Sequence, residues 1–330
     1  MSLQAAWLRR GPLAWSLRPL AWLYGGLAGV HRGLYALGLR RAERLPVPVI
    51  VVGNVVAGGA GKTPVVAAIV EHLKARGLQP GIISRGYGRR GHDCREVTSA
   101  TEPADAGDEP LLLARRCRVP VFVAPRRADA GRALLAAHPR VQVLVSDDGL
   151  QHHALARDLG VCVFDDRGTG NGWLLPAGPL REPWPRRVDL VLRPPGTAGI
   201  EGYGVERRLD TQALRADGTR RPLAELAREP VLALAGIARP EAFFSMLRAA
   251  GVSPAATLSL PDHHDFDAAP PAVPPGMAVV CTEKDAVKLW RHQPEAWAVP
   301  LSVAIEPAFW SAFDALTDRA LSSPDGSQTA

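Results

Sequence analysis

The clearest chemical signal in the chain is a glycine-rich segment that ends in a Lys-Thr pair. Residues 49–64 read VIVVGNVVAGGAGKTP, which is the order of strand, loop and helix that a phosphate-binding loop requires. Glycines let backbone N–H groups converge on phosphate oxygens, Lys62 can reach the β- and γ-phosphates, and the Thr63 hydroxyl can ligate Mg²⁺. The expected nucleotide contacts are Gly58, Gly59, Ala60, Gly61, Lys62 and Thr63.

This loop is a variant of the strict pattern G-x-x-x-x-G-K-[ST]. The strict pattern requires glycine at position 56, where this chain has Val56. The form G-G-x-G-K-T is closer to the loop of deviant-Walker ATPases, although Ala57 replaces their preceding lysine. The alternative is a glycine-rich turn that only precedes a helix, but the apolar strand before it favours a phosphate loop.

Two adjacent carboxylates, Asp147 and Asp148, follow the apolar run 141–146. Ligands of doubly wound sheets bind at the carboxyl ends of the strands. One Asp at this position can hold Mg²⁺ directly or through water while its neighbour orients another group, and the two can exchange these roles. The alternative is a helix N-cap with a flanking acid.

Five further polar segments are less specific. Taken alone, residues 106–110 (AGDEP) are typical of a helix start. The loop 84–89 offers two cations and a tyrosine for phosphate or sugar contacts, or is simply an exposed basic loop. Loops as rich in Gly and Pro as 170–182 are often functional. The adjacent His and Asp residues at 262–265 lack the spacing of a zinc site, and 281–288 is typical of a strand that leads into a helix.

Short apolar runs alternate with longer periodic segments from residue 48 onward, which predicts βαβ units around a mostly parallel sheet. The predicted strands are 49–52, 81–84, 119–123, 141–146, 161–164 and 188–192, and the predicted helices are 62–76, 108–116, 126–137 and 147–156. Beyond a Pro- and Gly-rich stretch at 193–204, strands are predicted at 231–235 and 278–281, helices at 239–250 and 284–290, and a last strand and helix within 301–316.

The pattern predicts an α/β fold, in which a P-loop NTPase-like domain with a mostly parallel sheet precedes a second, smaller α/β domain. The predicted divisions are an N-terminal amphipathic membrane-associating segment at 1–45, the P-loop domain at 46–195, a linker at 196–204, the smaller domain at 205–320 and a disordered tail at 321–330. Four widely separated cysteines without C-x-x-C spacing fit a reducing cytosol rather than a disulfide framework.

The net charge of +6 resides in the N-terminal segment, where residues 1–45 contain seven arginines and one glutamate. The remaining residues balance at 32 basic and 32 acidic side chains, which argues against a nucleic-acid partner. The longest stretch without a charged residue or a histidine, 19–30, is too short to cross a bilayer. Arginine mixed with Trp and Leu favours a helix or helical hairpin on an anionic membrane surface, and the alternative is a helix packed on the protein's own core.

Taken together in this order, the motifs resemble the tetraacyldisaccharide 4′-kinase family, the lipid A 4′-kinases of Gram-negative bacteria. The segments that carry the resemblance are VVGNVVAGGAGKTP at 51–64, SRGYG at 84–88, AGDEP at 106–110, SDDGLQH at 146–152, GNGWLLPAGPLRE at 170–182, DHH at 262–264 and TEKDAVK at 282–288. Seven spaced motifs are far more specific than a phosphate loop alone, and Val56 is no departure from this family.

The resemblance implies that the γ-phosphate of ATP, with Mg²⁺ as cofactor, is transferred to the 4′-hydroxyl of a lipid A disaccharide 1-phosphate. The implied location is the cytoplasmic face of the bacterial inner membrane, where the protein would be peripheral or monotopic; we expect a monomer. Asp108 becomes the candidate base, supported by His263 from the second domain, with His264 as the alternative. The other implied site residues are Lys62 and Thr63 for nucleotide and metal, Asp147, Asp148 and Glu182 for Mg²⁺, and Arg127 and Arg181 for the nucleotide, with Arg126 not distinguishable from Arg127.

Two rival functions start from the same residues. A membrane-recruited P-loop ATPase or GTPase switch would use water as its only phosphoryl acceptor, and acceptor-dependent label transfer separates it from a kinase. A non-catalytic lipid-binding protein would leave the Lys62-Thr63 loop and the Asp147-Asp148 pair without a purpose.

Overall fold

The computed structural model describes residues 6–59 and 61–322. Ala60 of the glycine-rich loop and residues 323–330 of the predicted tail lie outside the described residues. Leu321 and Ser322, which the sequence assigned to that tail, form the end of the last helix instead.

Helices and strands alternate along most of the chain. The helices are α1 (Pro12–Ser16), α2 (Arg18–Ala36), α3 (Lys62–Ala75), α4 (Pro103–Ala106), α5 (Asp108–Cys117), α6 (Arg127–Ala137), α7 (Leu223–Leu226), α8 (Pro240–Ala249), α9 (Glu283–Leu289) and α10 (Pro307–Ser322). The strands are β1 (Val49–Gly53), β2 (Pro80–Ser84), β3 (Arg95–Glu96), β4 (Val121–Val123), β5 (Val143–Asp147), β6 (Leu159–Val163), β7 (Leu190–Arg193), β8 (Tyr203–Leu209), β9 (Gln212–Leu214), β10 (Arg220–Pro222), β11 (Val231–Ala235), β12 (Ala256–Ser259), β13 (Ala278–Thr282), β14 (Trp297–Val299) and β15 (Leu301–Ile305).

The larger sheet has nine strands in the order β15-β8-β7-β6-β1-β5-β2-β4-β3. All neighbours from β8 to β4 are parallel, and an antiparallel strand closes each edge. Strands β1, β2, β5 and β6 are buried along their whole length, as their continuous apolar sequences require when helices cover both faces. This arrangement places the carboxyl ends of β1 and β5 side by side, with Val52 paired to Asp147.

The smaller sheet has six strands in the order β10-β9-β14-β13-β11-β12. Strands β8 and β15 fall within the predicted second domain, yet they extend the larger sheet. Strand β8 pairs with β7, and β15 pairs with β8 so that Leu301 lies opposite Leu209. The final helix follows them, and its Phe309 and Phe313 are buried in the core of the larger sheet. The chain therefore crosses between the two layers twice.

The predicted helix at 147–156 is wrong. The chain leaves β5 through Asp148, whose φ of 51° is left-handed and cannot begin a right-handed helix. Turns follow instead, and the Gln151 side chain donates to the main-chain oxygen of Asn54 at 2.8 Å. This segment is therefore fastened to the start of the glycine-rich loop.

The N-terminal segment forms two consecutive helices, α1 and α2, which lie against the Gly- and Pro-rich loop 170–182. The Trp7 indole donates to the carbonyl of Pro176 at 3.0 Å, and the Tyr24 hydroxyl donates to the carbonyl of Arg181 at 2.8 Å. Within residues 6–59 and 61–322, no helix is both long enough and apolar enough to cross a membrane.

Candidate active site

The glycine-rich loop, 54–61, connects the end of β1 to the start of α3 and is shaped by two left-handed glycines. Gly58 and Gly61 have φ values of 94° and 66°. A Cβ at Gly61 would lie 2.4 Å from Nε of Arg207, so a side chain fits neither the backbone nor the space. Arg167 forms an ion pair with Asp165 at 2.7 Å and donates a hydrogen bond to the Ala57 carbonyl, which stabilises the backbone of the loop.

Asp148 stands at the mouth of this loop between two cations. Its carboxylate lies 3.4 Å from Nζ of Lys62 and 3.2 Å from Nη1 of Arg181. Burial alone would raise the pKa of Asp148, but the charges of Lys62 and Arg181 outweigh burial and lower it. The predicted site residues Lys62, Asp148 and Arg181 are thus brought together, with Asp148 ionised.

Asp147 is fully buried beside Asp148 and faces a different environment. Burial, followed by the nearby charge of Glu109, raises its pKa. Its Oδ1 atom has no hydrogen-bond partner among the described residues, which is rare for a buried carboxylate oxygen. An unpartnered oxygen on one of two adjacent carboxylates fits Mg²⁺, which prefers oxygen ligands and keeps several waters.

The structure separates the two adjacent arginines that the sequence could not tell apart. Arg126 is two-thirds exposed and pairs with Asp129 at 3.2 Å on the surface. Arg127 is buried, and its Nη2 donates to the main-chain oxygens of Asp148 at 2.7 Å and Asp147 at 3.2 Å. In this structure Arg127 therefore holds the end of β5 in place.

Glu182 is buried at the other side of the loop. Its carboxylate accepts a hydrogen bond from Nε2 of Gln151 at 2.6 Å and contacts Arg186. The same Gln151 amide donates to the Asn54 oxygen, so Glu182 is connected to the glycine-rich loop through Gln151. Sequence reasoning did not select Gln151 or Arg186, although Gln151 lies within the SDDGLQH motif.

Asp108, the first residue of α5, contacts the smaller domain. Its Oδ2 lies 2.9 Å from Nδ1 of His263 and 3.0 Å from Nζ of Lys288. Burial on its own raises the pKa of Asp108, but the hydrogen bond from His263 and the Lys288 charge outweigh burial, so the pKa is lowered. A second lysine, Lys284, lies 3.2 Å from Nε2 of His263. Sequence reasoning assigned no role to either lysine, although both belong to the TEKDAVK motif.

Of the two adjacent histidines, the structure places only His263 at Asp108. His263 has a left-handed φ of 60°, and its ring lies 5.6 Å from the ring of Tyr87 in the SRGYG loop. His264 turns the other way, with Nε2 2.9 Å from the Ala269 carbonyl oxygen. The backbone at His263 is held in a conformation that is uncommon outside glycine, as is often found at functional sites.

A cavity of about 630 Å³ opens between the two domains beside the glycine-rich loop. Gly59, Lys62 and Thr63 line one side. The opposite wall is largely apolar and comes from the smaller domain and the Pro- and Gly-rich stretch 193–204, with Pro194, Pro195, Ile237, Ala242, Phe243 and Met246. Sequence reasoning missed this wall. The sequence offered one indication of it: the loop after β11 follows the carboxyl end of a predicted parallel strand, which is where such sheets bind ligands.

A family model described as LpxK, tetraacyldisaccharide-1-P 4′-kinase, matches residues 13–318 of the chain. The chain belongs to the LpxK family. Similar proteins include the tetraacyldisaccharide 4′-kinase of Acidovorax sp. strain JS42, 60% identical over 316 residues that cover 95% of this chain and 93% of that protein. The tetraacyldisaccharide 4′-kinase of Delftia acidovorans is 55% identical over 94% of this chain and 93% of its own length.

Among solved structures, LpxK from Aquifex aeolicus in complex with ATP is similar, with a TM-score of 0.82 and 29% identity. The match covers 94% of this chain and 99% of that one. Membership of the LpxK family makes this chain an ATP-dependent kinase of lipid A biosynthesis that acts on a hydroxyl group. The predicted resemblance, the predicted α/β fold and the predicted kinase activity are therefore confirmed.

Proposed function

We propose that this LpxK-family chain transfers the γ-phosphate of ATP to the 4′-hydroxyl of tetraacyldisaccharide 1-phosphate, with Asp108 as the base. The observation that carries the assignment is the contact of Asp108 with His263 and Lys288 across the two domains, next to the cavity at the glycine-rich loop. Phosphoryl transfer depends mainly on positioning and charge neutralisation, and these residues supply both.

The nucleotide occupies the cavity between the domains in this proposal. Its phosphates lie on the amides of Gly58, Gly59 and Gly61, where the start of α3 adds positive potential. Ala60, the other predicted nucleotide contact of this segment, lies outside the described residues. Lys62 exchanges its contact with Asp148 for contacts with the β- and γ-phosphates. The apolar wall around Phe243 faces the adenine ring of the nucleotide.

Mg²⁺ is held, in this proposal, by the Thr63 hydroxyl and the Asp147-Asp148 pair. In the described part of the chain, no cluster of three or more His, Cys, Asp or Glu side chains has metal-binding geometry, and phosphate and water oxygens would supply the remaining ligands of a bound ion. The bound ion supplies charge neutralisation to the phosphates. Glu182, expected from the family resemblance to serve the metal, keeps that role as a prediction; in the structure its carboxylate is connected to the loop through Gln151.

Asp108 accepts the proton of the acceptor hydroxyl as the hydroxyl oxygen bonds to the γ-phosphorus and the bond to the β-phosphate oxygen breaks. The lowered pKa of Asp108 keeps it ionised and ready to accept at neutral pH. His263 and Lys288 orient the carboxylate from the smaller domain. Arg181 lies at the carboxylate of Asp148, where its guanidinium can stabilise the negative charge of the phosphate during transfer.

The protein approaches its lipid substrate, we propose, by resting α1 and α2 on the cytoplasmic face of the inner membrane. Four apolar side chains of α2 are more than half exposed at intervals of three and four residues, namely Leu20, Leu23, Leu27 and Val30. Such a stripe on one helix face, flanked by arginines, is typical of helices that lie in the headgroup region. Trp15 and Trp22 are exposed beside it.

The test is label transfer from γ-labelled ATP and Mg²⁺ to detergent-dispersed lipid A disaccharide 1-phosphate. We expect Lys62→Ala and Asp108→Asn to reduce labelled lipid by at least about 100-fold. Asp105→Asn, which removes a partly exposed charge of the neighbouring helix α4 outside the candidate site, is the matched control and should retain wild-type activity. Label released only as free phosphate, at one rate with or without lipid, would favour the switch ATPase and contradict the proposal.

A further inference from the structure

A second cavity, of about 490 Å³, lies at the junction of the two domains and extends away from the glycine-rich loop. Its volume is within the range of small-molecule sites. Lys74, which lines it, is twelve residues after Lys62 on α3 and therefore about 18 Å along the helix axis at 1.5 Å per residue. A ligand held near Lys74 would thus be separate from the nucleotide phosphates.

Positive charge dominates the lining of this cavity. Six cations face three carboxylates, and the cations are Lys74, Arg115, Arg116, Arg118, Arg215 and Arg220. Only two of these cations have an acidic partner: Lys74 pairs with Glu71 at 2.8 Å, and Arg116 pairs with Glu283 at 2.9 Å. Across residues 6–59 and 61–322, the other four cations have no carboxylate within 4.0 Å.

Two of the unpaired arginines are also partly removed from water. Burial lowers the pKa of Arg115, and no carboxylate compensates it. The guanidinium of Arg215 lies over the ring of Trp297 at 4.2 Å, and its buried Nε atom has no hydrogen-bond partner within the described residues. Partly desolvated cations without a counter-charge cost free energy while the site is empty, and an anion that enters the site would offset that cost.

The helix dipole does not account for this cluster. Arg115 and Arg116 lie in the last turn of α5, where cations stabilise a helix C-terminus. Arg215 and Arg220, however, come from the β9–β10 hairpin of the other sheet, so a helix dipole does not explain why they line this cavity. Cations from both domains therefore face one space.

We propose that this second cavity is a binding site for a soluble phosphate-bearing anion, such as a di- or triphosphate, which bridges the two domains. Arginine forks bind phosphate oxygens in bidentate pairs, and four guanidinium groups without carboxylate partners suit more than one phosphate. A soluble source fits better than a lipid headgroup. The exposed apolar stripe belongs to α2, which is held at the loop 170–182, and no residue of α1, α2 or that loop lines this cavity.

The test is equilibrium dialysis of the full-length protein against radiolabelled pyrophosphate. The protein is first saturated with Mg²⁺ and a non-hydrolysable ATP analogue so that the glycine-rich loop is filled. We expect saturable binding to the wild type and at least tenfold weaker binding to the Arg115→Gln/Arg215→Gln variant. Arg220→Gln removes an exposed side chain, leaves the packing intact and should weaken binding about threefold. Arg248→Gln, an exposed arginine outside both cavities, is the matched control and should bind as the wild type does.

Absence of saturable binding to the analogue-filled wild type would overturn the proposal. Equal affinities of the wild type, the double variant and Arg220→Gln would overturn it as well. Co-sedimentation with vesicles that contain phosphatidylglycerol distinguishes the source of the phosphate. Equal sedimentation of the double variant and the wild type supports a soluble anion, whereas loss of sedimentation in the double variant without any pyrophosphate binding would assign the site to a lipid headgroup.

Discussion

Replacing Leu23 and Leu27 of α2 by glutamine tests whether the exposed stripe contacts lipid. The two side chains are 62% and 65% exposed and lie one helical turn apart. Full burial of a leucine is worth about 1.5 to 3 kcal/mol, so burying the exposed two-thirds of each side chain contributes about 1 to 2 kcal/mol. The double variant should lose at least about 2 kcal/mol of membrane affinity, which is about a 30-fold weaker partition.

The assay is co-sedimentation with vesicles of phosphatidylethanolamine and phosphatidylglycerol. Ser245→Gln, which adds a glutamine at an exposed position of α8, is the control and should bind vesicles as the wild type does. Phosphorylation of detergent-dispersed lipid should be unchanged in the double variant, since neither leucine lies in the candidate site. Vesicle affinity within about threefold of the wild type would refute the assignment of this face to lipid.

Three further predictions concern the site itself. Asp108→Asn should lower kcat by about 10² to 10⁴ with little change in the KM for ATP, because the role proposed for Asp108 is at the acceptor hydroxyl. A change confined to KM, measured in steady-state assays, would contradict this role. Activity should persist at neutral pH and fall only as the pH drops through the lowered pKa of Asp108. Lys288→Met should move this acidic limb of the kcat/KM profile to higher pH, because it removes one of the contacts that lower the pKa. An unmoved limb would show that Lys288 does not set the pKa of Asp108. Gly61→Ala should weaken ATP binding about tenfold in a nucleotide titration, because a left-handed alanine costs about 1 to 2 kcal/mol and its Cβ would displace Arg207. Wild-type affinity for ATP would show instead that the loop can relax around the added methyl group.

The local parts of the candidate site could be predicted from the sequence. The glycine-rich loop and the Asp147-Asp148 pair are set by a few adjacent residues: an apolar run that can only be a buried strand, glycines that permit left-handed turns, and a Lys-Thr pair that opens a helix. The bounds of β1, α3 and β5 differ from the predicted ones by at most two residues, whereas the helix predicted at 147–156 does not form.

The parts that depend on long-range contacts could not be predicted from residue pattern. Asp108 and His263 are 155 residues apart, and only the resemblance to a known family joined them before the structure did. Lys288 had a plain helical interpretation, because a lysine in the last turn of α9 also complements the helix dipole. Its contact with Asp108 depends on how the two domains pack, which no local pattern encodes.

The two sheets show the same limit at the level of the fold. A Pro- and Gly-rich stretch indicates where the chain changes direction, but not which sheet the next strand joins. Strands β8 and β15 join the larger sheet because they pair with each other and with β7, and the aromatic residues of α10 then cover the core beside them. Pairing partners are tertiary information, so a linear division at residue 205 cannot represent this exchange.

Two left-handed residues other than glycine lie in the candidate site, Asp148 beside the glycine-rich loop and His263 against Asp108. Each such backbone conformation costs about 1 to 3 kcal/mol, which the rest of the fold must offset. Glycine at either position would relieve that strain, so Asp148→Gly and His263→Gly should lose less stability than the lost contacts alone imply. Selection for thermal stability alone would therefore favour glycine at these two positions, so the side chains that the proposed chemistry needs are kept at a cost to the stability of the fold.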